Sequence, residues 1–305
     1  MSFECIAQDL KFPEGPVIMA DGSVILVEIA AGRVTRIWGE GKRETVAEPG
    51  GGPNGLALGP DGALYCCNNG GFIFHEAGGF LVPGNCPDDY SGGRIERIDL
   101  STGKVERVLE TVGERDLRGP NDIVFDDAGN FYFTDHGKTY PTQRDFGGLY
   151  FVDTAGNAAE MAYHHTSPNG VGLSPDQKTV YMADTLTARI WAFDLAAPGQ
   201  LVSTNPLGPD GRVVVTLPGL QYLDSLAVTA AGNVTVATIL NGGITTVTPE
   251  GDHAHTALPD PLVTNIAFGG EDRRTAWICM SGTGQLVKMA WPEPGLALAF
   301  EDRAP

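Results

Sequence analysis

Six segments of the chain repeat one order of residue types, and that recurrence constrains the fold more than any other feature. They read PEGPVIMADGSVILVEI, PNGLALGPDGALYCCNN, PNDIVFDDAGNFYFTDH, PNGVGLSPDQKTVYMADT, LDSLAVTAAGNVTVATI and TNIAFGGEDRRTAWICMS. Each offers a polar residue, a short run of small or apolar residues, a turn, and a β-branched or aromatic run. That is the pattern of a β-hairpin, often with DG or AG at the turn. The polar anchors are Glu14, Asn54, Asn121, Asn169, Asp224 and Asn265, spaced 40 to 67 residues apart. Further strand-like runs lie between them, among them GRVTRIWG, GRIERIDL, GLYFVDT, ARIWAFDL and GITTVTPEG. Two hairpins per repeat at this period are a signature of propeller blades. The 41 Gly and 21 Pro, spread evenly, supply the turns that so many short strands need.

The expectation is therefore an all-β, six-bladed β-propeller with a metal site at the mouth of its central channel, residues 1–305 forming a single domain. SFECIAQDL, ahead of the first anchor, is expected to supply the outer strand of the last blade and close the ring. The longest interval holds GFIFHEAGGFLVPGNCPDDYSGG, read as an insertion at 72–93 lying over one face. GLALG, GVGLS and SLAVT are rich in small residues, as strands crowded near an axis must be.

With one anchor at the entrance of each inner strand, six polar side chains converge on one mouth of the channel. Two are carboxylates, Glu14 and Asp224, and four are amides. Oxygen ligands of this kind suit a hard cation such as calcium or magnesium. Two negative charges balance one divalent ion, whereas without it the carboxylates repel and one is driven to protonate. The alternative for any single anchor is ordinary turn chemistry, since PNG alone is a common turn. Glu14 departs from that chemistry. The second strands end on Glu28, Asn68, Asp135, Asp184, Thr238 and Ser281, a second polar column expected to orient the first. His136 follows Asp135 and is read as a substrate-facing donor or base, the alternative being a surface histidine. His164 and His165 are weaker candidates for the same mouth, and the HAH at 253–255 is read as exposed.

The formal charge of −18 argues against nucleic acid as a partner. No run of 18 apolar residues argues for a membrane span. MSFECIAQDLKFPEG lacks a basic start followed by a long apolar run, and the five cysteines show no CxxC spacing; the expectation is a cytoplasmic protein, a monomer or small homo-oligomer. There is no GxSxG elbow, GxxxxGK[ST] loop or HExxH helix.

FPEGPV, GPNDIVFDDAGNFYFTDHG, TSPNGVGLSPDQKTVYMADT and YLDSLAV, in this order, resemble the SMP-30/gluconolactonase/luciferin-regenerating-enzyme (LRE) family over nearly the whole chain. The resemblance implies a six-bladed propeller with one divalent metal at the mouth. Calcium is the first expectation, with zinc, manganese or magnesium as alternatives. It implies Glu14, Asn169 and Asp224 as metal ligands, and Asn121 as a ligand or substrate contact. Asn54 resembles a substrate-side position. Animal gluconolactonases carry an Arg two residues before the Asn121 position; here that place is Gly119, with Arg118 adjacent. The implied activity is metal-dependent opening of a small-molecule lactone, with Asp224 activating water or attacking directly. Hydrolysis of organophosphates such as diisopropyl fluorophosphate is the nearest rival. A non-catalytic, ligand-binding propeller with a structural metal is the other.

Overall fold

The computed structural model describes residues 2–39, 41–202 and 209–301, and in it each repeat becomes an antiparallel sheet. Blade 1 runs outward through Pro13–Ile18, Val24–Glu28, Arg33–Gly39 and Lys42–Ala47. Blade 2 uses Pro53–Leu58, Leu64–Asn68, Arg94–Ile98 and Val105–Leu109. Blade 3 uses Pro120–Phe125, Phe131–Asp135, Gly147–Val152 and Ala158–His165. Blade 4 uses Pro168–Leu173, Thr179–Asp184, Arg189–Ala197 and Arg212–Thr216, with Gln200–Leu201 also paired to its third strand. Blade 5 uses Tyr222–Val228, Val234–Ile239, Gly243–Val247 and His253–Ala257. Blade 6 takes Val263–Gly269, Thr275–Met280 and Gln285–Ala290, and its outermost strand is Glu4–Ala7. The six innermost strands contact one another in a closed cycle. The molecule is a six-bladed β-propeller.

The second strand of each blade is buried on both faces, because a neighbouring blade packs on each side. Val24–Glu28 and Phe131–Asp135 are buried throughout, so their sequences run apolar without alternation up to the polar residues that end them. Between blades 3 and 4, Tyr132 and Leu149 meet Val171, Val180, Trp191 and Phe193. Each such aliphatic or aromatic side chain contributes about 1.5–3 kcal/mol by leaving water. Cys66, Cys67 and Cys279 are buried free thiols within this packing, acting as small hydrophobes. Among the described residues no helix is long and apolar enough to cross a membrane.

The inner strands enclose a cavity of about 100 Å³ along the axis, lined by Leu56, Ile123, Val171 and Leu226 among others. At its far end Leu296, Ala297, Leu298 and Ala299, beyond the last blade, close the channel. That segment is tied down by Leu296 N–H to the Val228 carbonyl (2.9 Å), by the Arg273–Glu301 ion pair, and by Phe300 edge-on against Phe125.

The insertion folds as a hairpin of Phe74–Ala77 and Phe80–Pro83 on the opposite face. Leu81 N–H donates to the Gly282 carbonyl (2.9 Å) and Cys86 N–H to that of Thr139 (2.8 Å), so the insertion spans from blade 6 to blade 3. Lys138 fastens it from below. Its side chain is fully buried, lies 4.0 Å from the Phe72 ring centre, and donates to the Asn69 (3.0 Å) and Gly71 carbonyls. Burial pushes its ammonium down to about 8.

Candidate active site at the channel mouth

Every inner strand loses register at its anchor. The shifts fall at Glu14/Val17, Pro53/Leu56, Pro120/Ile123, Pro168/Val171, Leu223/Leu226 and Val263/Asn265. A bulge interrupts the strict in–out alternation of a strand and re-aims side chains. Here it lets consecutive residues at the strand entrance serve one site. The approach of neighbouring strands is close. Gly15 has φ +55°, and a Cβ there would lie 2.4 Å from the Asn54 carbonyl oxygen, so only glycine fits after Glu14.

The second column fixes the loops that lead into the anchors. Glu28 accepts from Lys11 N–H (2.9 Å), three residues before Glu14, and is held by Arg33 and Thr35. Asn68 Oδ1 accepts from Gly52 N–H (2.9 Å), two before Asn54. Asp135 takes the N–H groups of Arg118 and Gly119, both at 2.7 Å, and Asp184 those of Thr166 and Ser167. In blade 6 the pattern changes: Ser281 Oγ donates to the Pro13 carbonyl at 2.5 Å, directly before Glu14, while Asp260 holds Leu262 and Thr283. These groups position backbone and do not open on the channel.

The anchors themselves are different. Glu14 is 2% exposed; its Oε2 accepts from Gly15 N–H and Asn265 Nδ2, both at 2.7 Å, and its Oε1 has no partner. Asn169 donates from Nδ2 to Thr185 Oγ1 at 3.1 Å and leaves Oδ1 bare. Asn121 Oδ1 is buried and bare as well. Asp224 is half-buried beside them. Burial pushes its carboxyl well above the usual range, the Glu14 charge adds to that, and the Asn169 side chain partly offsets it. Glu14 is raised by burial, against the pull of Asn265. Three unpartnered oxygens and two strained carboxyls form an oxygen-only donor set, which fits a hard divalent cation.

Asn54 is buried at the equivalent place in blade 2. His136 lies partly buried above the blade 3 entrance, its Nδ1 3.2 Å from the Pro168 carbonyl. A carbonyl only accepts, so Nδ1 carries the proton and Nε2 keeps its lone pair. Burial, with Arg144 and Lys138 nearby, pushes the ring down to about 3, so it stays neutral. His165 is elsewhere: it packs edge-on to Trp191 and Phe193 between blades 3 and 4. His164 is exposed against Phe146, and His253 and His255 lie on the exposed outer strand of blade 5. At Gly119 a Cβ would stand 2.6 Å from the Gly137 carbonyl oxygen, so the 136–146 loop leaves no room for any side chain there. Arg118 instead turns to Asp145 (3.0 Å) and Tyr140 (3.1 Å).

Sequence reasoning passed over Asp122. Its carboxylate accepts from Ile123 N–H (3.0 Å) and reaches Val171 N–H of blade 4 (3.3 Å), lining the channel just inside the anchors. Burial, then the Glu14 charge, pushes it up to about 7. The signal was present, an acid directly after an anchor, but strand alternation assigns it to the opposite face; the bulge overrides that.

A family model described as the SMP-30/Gluconolactonase/LRE-like region matches residues 12–282. A gluconolactonase of Zymomonas mobilis is 25% identical over 91% of this chain and 78% of its own. A 6-deoxy-6-sulfogluconolactonase of Pseudomonas putida is 28% identical over 77% of each chain. The solved structure of a calcium-binding protein, regucalcin, from Agrobacterium tumefaciens superposes with a TM-score of 0.72 at 19% identity, covering 97% of this chain and 98% of that one. With the match spanning all six inner strands, this chain belongs to the SMP-30/gluconolactonase/LRE-like family.

Proposed function

We propose that the protein is a divalent-metal-dependent lactonase, opening a cyclic ester of a sugar acid or related lactone at the channel mouth. The observation that carries this reading is the set of bare oxygens, Glu14 Oε1, Asn121 Oδ1 and Asn169 Oδ1, around the half-buried Asp224. The lactonase names of its relatives support the substrate class. Glu14, Asn121, Asn169 and Asp224 would hold the cation, calcium first on the chemistry of the donors. Bound there, the cation would act as a Lewis acid on the lactone carbonyl and balance the negative charge that develops on it.

The chain's own groups supply the rest. Asp224 takes a proton from the attacking water as the water oxygen bonds to the carbonyl carbon. The ring C–O bond then breaks, the leaving alkoxide takes that proton, and a hydroxy acid results. Asn265 and Gly15 fix the Glu14 rotamer, so this carboxyl holds its place without reorganising. Asn54 and His136 contact the substrate, the neutral Nε2 of His136 accepting from a hydroxyl. The backbone crowding at Gly119 excludes an arginine there, so sugar recognition falls to other groups of the mouth.

The test is hydrolysis of a panel of sugar and aliphatic lactones by metal-stripped protein, before and after adding calcium, magnesium, manganese or zinc. Metal-restored turnover of a lactone is the expected result. Turnover of phosphotriesters alone, or no turnover by folded protein with any metal, would overturn the reading.

A further inference from the structure

The residue directly after each member of the second polar column occupies the same rank in all six blades: Ile29, Asn69, His136, Thr185, Ile239 and Gly282. In four blades its N–H donates to the carbonyl two residues before the anchor: Ile29 to Phe12 (3.1 Å), Asn69 to Gly52 (2.8 Å), His136 to Gly119 (2.8 Å) and Thr185 to Ser167 (3.0 Å). Thr185 Oγ1 also touches the Asn169 amide, so this rank is the layer resting on the anchors. Blades 2, 3 and 4 carry polar residues at this rank, blades 5 and 6 carry Ile239 and Gly282, and in blade 1 Ile29 is buried in the core.

Asn69 stands out within it. It is 2% exposed and fixed at three points: its N–H on Gly52, its carbonyl under Lys138 Nζ, and its Oδ1 on Gly71 N–H at 2.8 Å. The last contact settles the amide orientation, since a backbone N–H must meet the oxygen. Nδ2, with two N–H groups, is then buried without any acceptor. Leaving such a donor unmet is costly, and an oxygen-rich ligand would recover that cost. A Cβ on Gly52 would lie 2.3 Å from Asn69 Oδ1, so the amide packs directly on the backbone that leads into Asn54.

We propose that Asn69 is a substrate-binding residue: its Nδ2 donates to a hydroxyl oxygen remote from the reacting carbonyl, and so selects hydroxylated over plain lactones. The proposal rests on the lactonase reading. It places a hydroxyl-bearing side of the substrate against blades 2 and 3.

The experiment compares δ-gluconolactone with δ-valerolactone, the same ring without hydroxyls, using calcium-loaded wild type, Asn69→Ala and Asn69→Asp. Asn69→Asp keeps the acceptor for Gly71 N–H and removes the donor, so it separates substrate contact from loop support. The expected result is a fall of about tenfold in the kcat/KM ratio of gluconolactone to valerolactone in both variants, carried by KM for gluconolactone. Parallel losses on both lactones, or an unchanged ratio, would overturn the proposal. If wild type turns over neither lactone with any divalent cation, the lactonase reading fails, and glucitol binding by calorimetry decides Asn69 separately. Glucitol binding weakened in both variants supports the donor role; equal or absent binding refutes it.

Discussion

The same six strands build both ends of the central channel, and the two ends have opposite chemistry. At the entrance, bulges turn Glu14, Asn121, Asp122 and Asn169 inward, and oxygens are left without partners. At the far end the strands carry Ile18, Leu58, Phe125 and Phe268, and the segment from Leu296 to Ala299 seals them. One end stores unmet polarity and the other removes apolar surface from water. Unmet polarity costs stability and is kept where a ligand will meet it; apolar closure stabilises and binds nothing. Variants at the two ends should therefore fail in opposite ways.

The largest effect is expected at the entrance. Asp224→Asn should lose about 10²–10⁴-fold in kcat while remaining folded. Glu14→Gln should lose the thermal stabilisation that calcium gives wild type, yet without metal be no less stable than wild type, because a raised buried carboxyl has been neutralised. Steady-state rates and thermal unfolding with and without calcium check both. A metal-free Glu14→Gln protein that unfolds well below metal-free wild type would break the comparison.

At the far end the order reverses. Trp291 is buried against Phe268 at the start of the sealing segment, and Trp291→Ala should cost about 3–5 kcal/mol of stability. Its kcat/KM per folded molecule should match wild type. Denaturant unfolding beside an active-site-independent count of folded protein measures the two terms.

The smallest effect concerns Lys138, under the insertion. Its folded-state value of about 8 lies below the 10.5 of an exposed lysine, so between those pH values the unfolded chain holds more protons than the folded one. Stability should rise with pH across that window, by at most about 3 kcal/mol and less after solvent relaxation. Lys138→Met should flatten the rise in pH-dependent melting curves. An unchanged slope would show that other groups carry it.

The inner hairpins were legible because crowding at the axis selects small residues and each blade repeats the demand. The anchors were legible for the same reason: a polar residue before GLALG, IVF or VGL recurs six times. Asp122, Asn69 and Lys138 were not. Asp122 is hidden by a bulge that no period reveals, and Asn69 has the sequence surroundings of any asparagine in a strand-end turn. Lys138 is a lysine whose carbonyl partners lie 67 and 69 residues away in the sequence. The insertion was visible as an interval too long for one blade, but its reach from Gly282 to Thr139 depends on backbone hydrogen bonds that composition does not encode.

The pairing of Glu4–Ala7 with Gln285–Ala290 joins stretches from the two extremes of the chain, through Glu4 opposite Lys288 and Cys5 opposite Val287. Blades 1 to 5 are sequence-local and can assemble in the order in which they are synthesised. The sixth must wait, since its four-stranded sheet needs one segment that precedes blade 1 and three strands that follow blade 5. High sequence separation of this kind slows the closing step far more than it weakens the product, because loop-closure entropy grows only logarithmically with length. Until that step, a nascent chain holds the edge of blade 1 open and its inner strands unsealed. The Asn265–Glu14 contact that sets the entrance lies across the same seam, so it too requires blade 6 to have met blade 1.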